Sequence, residues 1–300
     1  MSRRLPGCRR RRPPACSATT ATSAKSPGPA WCRRRSARRR GYNLLLSNSD
    51  EDAEQEIPAV RVLLGQQVDG HLIAPTPLAA HRNRAVETIA GSGRPVVLID
   101  RLVPGVAADA VISDDREASR RLTSVLLDDG HRAIGFLSSL PFDGRYRAGD
   151  FIPSTPVADR VSGYLDALAA VGLPSVDGMV RLKVDRTSIQ ADARTFLTRS
   201  DRPTAVIASD SRIGLALFRA ARDLSMDIPG QLSLVVFDNA DWTDVAAPGI
   251  TVMSQPMRDI GAQAALLIDR IEGAVADPRV VVLPQRLVER ASVSRPPAAP

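Results

Sequence analysis

Residues 202–239 read RPTAVIASDSRIGLALFRAARDLSMDIPGQLSLVVFDN. The run Thr204–Ala208 is apolar on successive residues, as a strand covered on both faces requires, and Leu232–Phe237 repeats the pattern. Between them, Asp210 or Ser211 is placed to cap a helix. Ile213, Leu217 and Ala221 fall on one face of it, and Pro229-Gly230 closes the turn. Strand, capped helix and buried strand make a βα unit of a parallel sheet. Polar residues stand at both strand ends: Ser209 and Asp210 after TAVIA, Asp238 and Asn239 after LSLVVF.

The same alternation extends outward in both directions. It predicts strands at Tyr42–Ser47, Val68–Ala74, Pro95–Asp100 and Ala133–Leu137, with Asp100 and Arg101 again polar at a strand end. The run DDREASRRLTSVLLDDGH, 114–131, predicts a helix that opens at Asp114 or Asp115 and stops at Gly130. Residues 41–300 exceed the usual size of one core, so two lobes are expected. The Gly- and Pro-rich segment 143–159, DGRYRAGDFIPSTPVAD, reads as a mobile surface loop near a cleft mouth that contributes to ligand choice.

Charge divides the chain at Gly41. Residues 1–40 hold twelve arginines, one lysine and no acid, so residues 41–300 carry −6 although the whole chain is +7. Five prolines and all three cysteines (Cys8, Cys16, Cys32) also fall in that tail, which is expected to be disordered. It lacks the apolar run of roughly 7 to 15 residues of a secretory signal. No stretch reaches the roughly 18 apolar residues of a membrane span. His71, His81 and His131 sit on separate predicted elements, the cysteines have no four-ligand spacing, and no nucleophile elbow or phosphate loop is present. The expectation is therefore a cytoplasmic protein that is not an enzyme, with no catalytic residue, metal or cofactor.

Seven segments in order, GYNLLLSNSD, VDGHLIAP, PVVLIDR, LLDDGHRAIGFL, RVSGYLDALAAVGL, the 202–239 stretch and PGITVMSQPMRDIGAQAALLI, together resemble the effector-binding core of the lac repressor and galactose repressor family of bacterial transcription regulators. The resemblance covers Gly41 to about Ser292. It implies an α/β fold of two doubly wound parallel-sheet lobes, like periplasmic sugar-binding proteins, with a sugar or sugar-like effector in the cleft between them. It places one lobe at about 41–138 plus 255–278 and the other at about 139–254 plus 279–292, with 293–300 as a disordered tail. It implies that Asp100 and Asp238 accept hydrogen bonds from ligand hydroxyls, that Arg160 donates its planar fork, and that Gln255 is a further contact. Ser209 stands where many members carry Asn. Asp210 can cap its helix or bind ligand, and Trp242 can stack on a sugar or cover the lobe interface.

The resemblance also implies a homodimer, and DNA binding through a helix-turn-helix domain that this chain does not show. The first βα unit of lobe 1 is expected to be missing as well, leaving Tyr42–Ser47 and Pro95–Asp100 beside an open slot. The join at Gly41 reads as a frameshift or a misassigned start. The alternative from another class is the solute-binding protein of a sugar transporter.

Overall fold

The computed structural model describes residues 41–77, 82–140, 142, 144–174, 178–182, 188–263, 265–273 and 277–297. The expected disordered tail of residues 1–40, with the three cysteines and the reading of its origin, lies outside the described residues, as does His81.

In chain order the elements are α1 (Ala53–Gly65), β1 (His71–Ile73), α2 (Arg84–Gly91), β2 (Val96–Ile99), β3 (Asp109–Ser113), α3 (Asp115–Asp128), β4 (Ile134–Leu137), α4 (Thr155–Ala170) and β5 (Val180–Arg181). They continue with α5 (Ile189–Leu197), β6 (Ala205–Ala208), α6 (Ser211–Asp223), β7 (Ser233–Phe237), α7 (Asp241–Val245), β8 (Thr251–Ser254), α8 (Met257–Gln263), α9 (Ala265–Ile271), β9 (Val280–Leu283) and β10 (Arg286–Val288). Among these residues the strands form a parallel four-stranded sheet, β1-β2-β3-β9, and a six-stranded sheet, β10-β8-β7-β6-β4-β5, parallel except for β10.

The consecutive apolar residues of 202–239 are explained by the two faces of the larger sheet. Ala205, Ile207, Val235 and Phe237 pack toward α3 and α4 with Leu122, Val161 and Tyr164. Val206, Ala208, Leu234 and Val236 pack toward α5 and α6 with Phe196, Ile213 and Leu217. Each buried aliphatic contributes roughly 1.5–3 kcal/mol, so neither face can turn to water. The smaller sheet repeats this: Ile73 and Leu98 meet α1 and α2, and Leu72, Val97 and Val111 meet α8 and α9.

Sheet membership moves the expected lobe limits. β4 lies in the six-stranded sheet and α3 packs on α4, so the first crossover falls at Asp114 rather than near residue 138. β9 belongs to the four-stranded sheet, which puts the third crossover at 284–285 rather than 278. The reason is a mutual close approach: Ser119 Oγ donates to the Arg160 carbonyl, and Gly163 lets α4 meet the α3 backbone where a Cβ would collide with the Arg116 carbonyl oxygen.

Four local readings are also corrected. Tyr42–Ser47 joins neither sheet, and Leu46 stands 57% exposed, because no strand among the described residues lies beside it. The edge of the small sheet is β1, whereas β2 is paired on both sides, so the slot does not border Pro95–Asp100. The segment 143–159 is not a free loop: Tyr146 and Ile152 are buried in the main core, and α4 already begins at Thr155, with Pro156 in its first turn. The closing tail is held past residue 293, since the Ser294 carbonyl meets His131 Nε2 at 2.8 Å and its amide donates to Ser233 Oγ.

Gly163→Ala is expected to cost at least about 1–3 kcal/mol by forcing α3 and α4 apart. Leu46→Ser is expected to change stability by no more than about 0.5 kcal/mol, because Leu46 lies on the surface. Chemical denaturation of both variants checks the pair; a large loss from Leu46→Ser would show that the segment is packed after all.

Candidate functional site

The carboxyl ends of the two sheets face one another across a cavity of about 150 Å³, lined among others by Glu51, Arg101, Arg160, Ser209, Asp210 and Asp238. Such strand ends are where open α/β sheets take ligands.

Asp100 and Asp238 occupy equivalent places. Each follows the last residue of its strand, and each donates its amide to the neighbouring strand at 2.9 Å, to the Val111 carbonyl and the Met253 carbonyl respectively. Each has left-handed backbone, φ +67° and +77°. A non-glycine residue in that region stores strain of order 1 kcal/mol or more, which the flanking ladder sustains. The conformation turns the chain sharply at the strand end; Asp238 lines the cavity, while Asp100 is buried beside the lining Arg101.

Arg160 lies between them. Only 1% of it is exposed. Its Nε donates to Asp115 Oδ1 at 2.6 Å, its Nη1 donates to the Ser209 carbonyl at 2.6 Å, and its guanidinium lies 4.2 Å from the Phe237 ring centroid. Nη2 is buried and has no hydrogen-bond partner among the described residues. Burial disfavours the guanidinium charge, but the charges of Asp115, Asp238 and Asp100 and the Asp115 hydrogen bond outweigh it and hold the group above its ordinary value. The result is a fixed cation with one donor still to be used, ringed by acceptors.

The remaining expected residues divide. Gln255 Nε2 donates to Asp238 Oδ1 at 2.8 Å, so it orients the carboxylate. Asp210 caps α6: its Oδ1 accepts from the amides of Arg212 and Ile213, and its Oδ2 accepts from the Ser209 hydroxyl, although it still lines the cavity. Trp242 packs against Phe218, with ring centroids 5.9 Å apart, and donates Nε1 to Ser211 Oγ at 2.9 Å. It packs on the Ser211, Gly214 and Phe218 side of α6 and is not among the cavity-lining residues.

Several members of the site were not legible in the sequence. Asp115 reads as a helix cap, yet it is buried and also accepts from Gln285 Nε2 at 2.9 Å. Gln285 in turn donates its amide to Asp114 Oδ1 at 2.7 Å, joining the first and third crossovers. Glu51 Oε1 accepts from Arg101 Nη2 at 2.7 Å, and Arg101 Nη1 donates to the Pro75 carbonyl at 2.9 Å. The Leu102 amide donates to Thr155 Oγ1 at 3.0 Å, tying the lobes at the cleft. The only signal for these contacts was the cluster of charges after strands.

Residues 123–293 match the periplasmic binding protein-like domain. Catabolite control protein A of Priestia megaterium is 30% identical over 255 residues, which is 84% of this chain and 72% of that protein. The chain belongs to the lac repressor and galactose repressor family. Members of this family with solved structures superimpose closely: transcription regulator CcpA of Lactococcus lactis does so with a TM-score of 0.79 at 22% identity, covering 93% of this chain and 99% of that one. A transcriptional regulator CelR solved with cellobiose gives 0.76 at 25% identity, covering 93% and 86%. These relatives of the family are transcription regulators, not enzymes. Among the described residues of this member, no helix is long and apolar enough to cross a membrane.

The described histidines of this family member lie apart, His71 on β1 and His131 ahead of β4, in different sheets. Burial, with the Arg94 charge, pushes His71 down to about 4. Burial also lowers His131, against the opposing hydrogen bond to Ser294. A histidine depressed in the folded state binds its proton more readily when unfolded, so this stability is full above the ordinary histidine value of about 6.5 and is lost as pH falls toward 4. Melting temperatures should therefore fall between pH 7.5 and 4.5. His71→Leu should flatten that slope; an unchanged slope would remove His71 from the account.

Proposed function

We propose that this chain is the effector-binding part of a bacterial transcription regulator, that the cleft takes a sugar or sugar-like molecule, and that no chemistry is done on it. The observation that carries the reading is the buried Arg160 with an unused Nη2, acted on by the charges of two strained strand-end carboxylates, Asp100 and Asp238. Vicinal hydroxyls are both donors and acceptors, and a cation beside two carboxylates satisfies both roles at once. The CelR relative solved with cellobiose supports the ligand class. That relatives with this fold are transcription regulators favours this reading over the solute-binding protein of a transporter.

In this proposal Asp100, Arg160 and Asp238 hold the ligand, Gln255 and Ser209 position Asp238 and Arg160, and Asp210 keeps α6 in place. The lobes are about 42–113 with 255–283 and 114–254 with 284–292, and a ligand that touches both biases their relative placement. Assembly as a homodimer, action on DNA through a further domain and a cytoplasmic location belong to the same proposal.

Calorimetry of the chain against a panel of neutral mono- and disaccharides tests it. Asp238→Asn is the informative variant, because asparagine tolerates the left-handed backbone at this position. It is expected to weaken binding by roughly 10- to 100-fold, the 1.5–3 kcal/mol of a hydrogen bond to a charged group, with little change in melting temperature. Turnover of any sugar, or unaltered binding in Asp238→Asn, would overturn the reading.

A further inference from the structure

Arg212 and Ser139 line two cavities at once: the cleft, and a groove of about 650 Å³ between α5 and α6. The floor of that groove is the outward face of α6, where Arg212, Leu215, Arg219 and Arg222 recur at helical spacing on one stripe. All three arginines are exposed. Some exposed arginines elsewhere are clamped to acids, Arg82 to Glu87, Arg116 to Asp166 and Arg120 to Glu117, while others, among them Arg61, Arg84, Arg121 and Arg258, show no ion pair among the described residues. Arg212, Arg219 and Arg222 have no ion-pair partner among the described residues. The nearby acids keep their charge but form no ion pair with the strip: Asp210 caps α6, Asp223 on the groove accepts from Gln190 Nε2 at 3.4 Å, and Asp192 accepts from Ser188 Oγ at 3.2 Å. This unpaired positive strip runs out of the ligand cleft of a body whose residues 41–300 carry −6.

We infer that the effector is an anionic carbohydrate, whose hydroxyls sit between Asp100, Arg160 and Asp238 and whose phosphate or carboxylate arm leaves the cleft over Arg212. The inference rests on the cleft reading above and narrows it to a ligand class. Beside a neutral sugar the exposed Arg212 is answered only by water, whereas an anionic arm gains charge-assisted hydrogen bonds from its fork. Arg219 lies about 10 Å further along the helix at 1.5 Å per residue, near the screening length of about 8 Å at physiological salt. Arg219 and Arg222 therefore attract the arm without touching it, and their effect is salt-sensitive, while that of Arg212 persists.

The test is calorimetry of the full 300-residue chain with matched pairs: ribose and ribose 5-phosphate, glucose and glucose 6-phosphate, glucose and glucuronate, with inorganic phosphate alone as a further probe. The anionic member of at least one pair is expected to bind about tenfold or more tighter than its neutral parent. Arg212→Gln should remove that advantage without altering the neutral parent, and Arg219→Gln with Arg222→Gln should reduce it only at low salt. Neutral parents that bind as well as their anionic partners, or an advantage that survives Arg212→Gln, overturn the inference and leave the cleft reading intact. Unaltered affinity of both members of a pair in Asp238→Asn, with an anionic advantage that vanishes in Arg212→Gln, overturns the sugar clasp and keeps the anion site. Inorganic phosphate that matches the tightest sugar overturns the combined ligand class.

Discussion

A guanidinium with almost no exposure is the constraint around which this molecule is arranged. Removing a charge from water costs several kcal/mol even after relaxation, and the cost is offset only by close partners of good geometry. Arg160 finds them on different elements: Asp115 at the start of α3, the Ser209 carbonyl at the end of β6, and the Phe237 ring at the end of β7. The two short hydrogen bonds and the ring fix three of its sides and leave Nη2 as the remaining one. A group so confined presents its last donor with little rotamer entropy left to lose, which is what preorganisation means for a binding site.

The same ion pair reaches the hinges. Asp115 follows the first crossover, and its Oδ1 is shared between Arg160 Nε and Gln285 Nε2 of the third. The second crossover begins at Gln255, whose side chain holds Asp238. Arg160 and Asp238 are thus one hydrogen bond from the segments that cross between the lobes. In the proposed function, a ligand that contacts both lobes shifts their balance by its differential contact with the two arrangements.

The two strand-end aspartates show how one local device is used twice. Each is placed by a ladder hydrogen bond to the next strand and forced into left-handed backbone at the turn. Different sheets, 138 positions apart in the chain, therefore repeat the same backbone turn at a strand end; Asp238 lines the cavity itself, and on the other sheet it is Arg101, the neighbour of the buried Asp100, that does so. Repetition of the βα unit in the sequence becomes approximate symmetry of the site.

The sequence by itself determined whatever depends on near neighbours. Consecutive apolar residues in 204–208 and 232–237 required strands buried on both faces, Asp210 and Gly130 marked helix ends, and the polar residues after PVVLI and LSLVVF lay at the strand ends that build the cleft. The family motifs added Arg160. What the tertiary structure alone decided depends on partners far apart in the chain. Asp115 meets Arg160 across 45 positions, β4 pairs with β6 in the second sheet, and Gly163 admits the α3 backbone against α4. Tyr146 and Ile152 turn an apparent loop into core, and Trp242 faces Phe218 and Ser211 rather than the ligand cavity. Tyr42–Ser47 has the composition of a strand but not its neighbour: a ladder needs a second backbone alongside, and apolar residues cannot supply that for themselves.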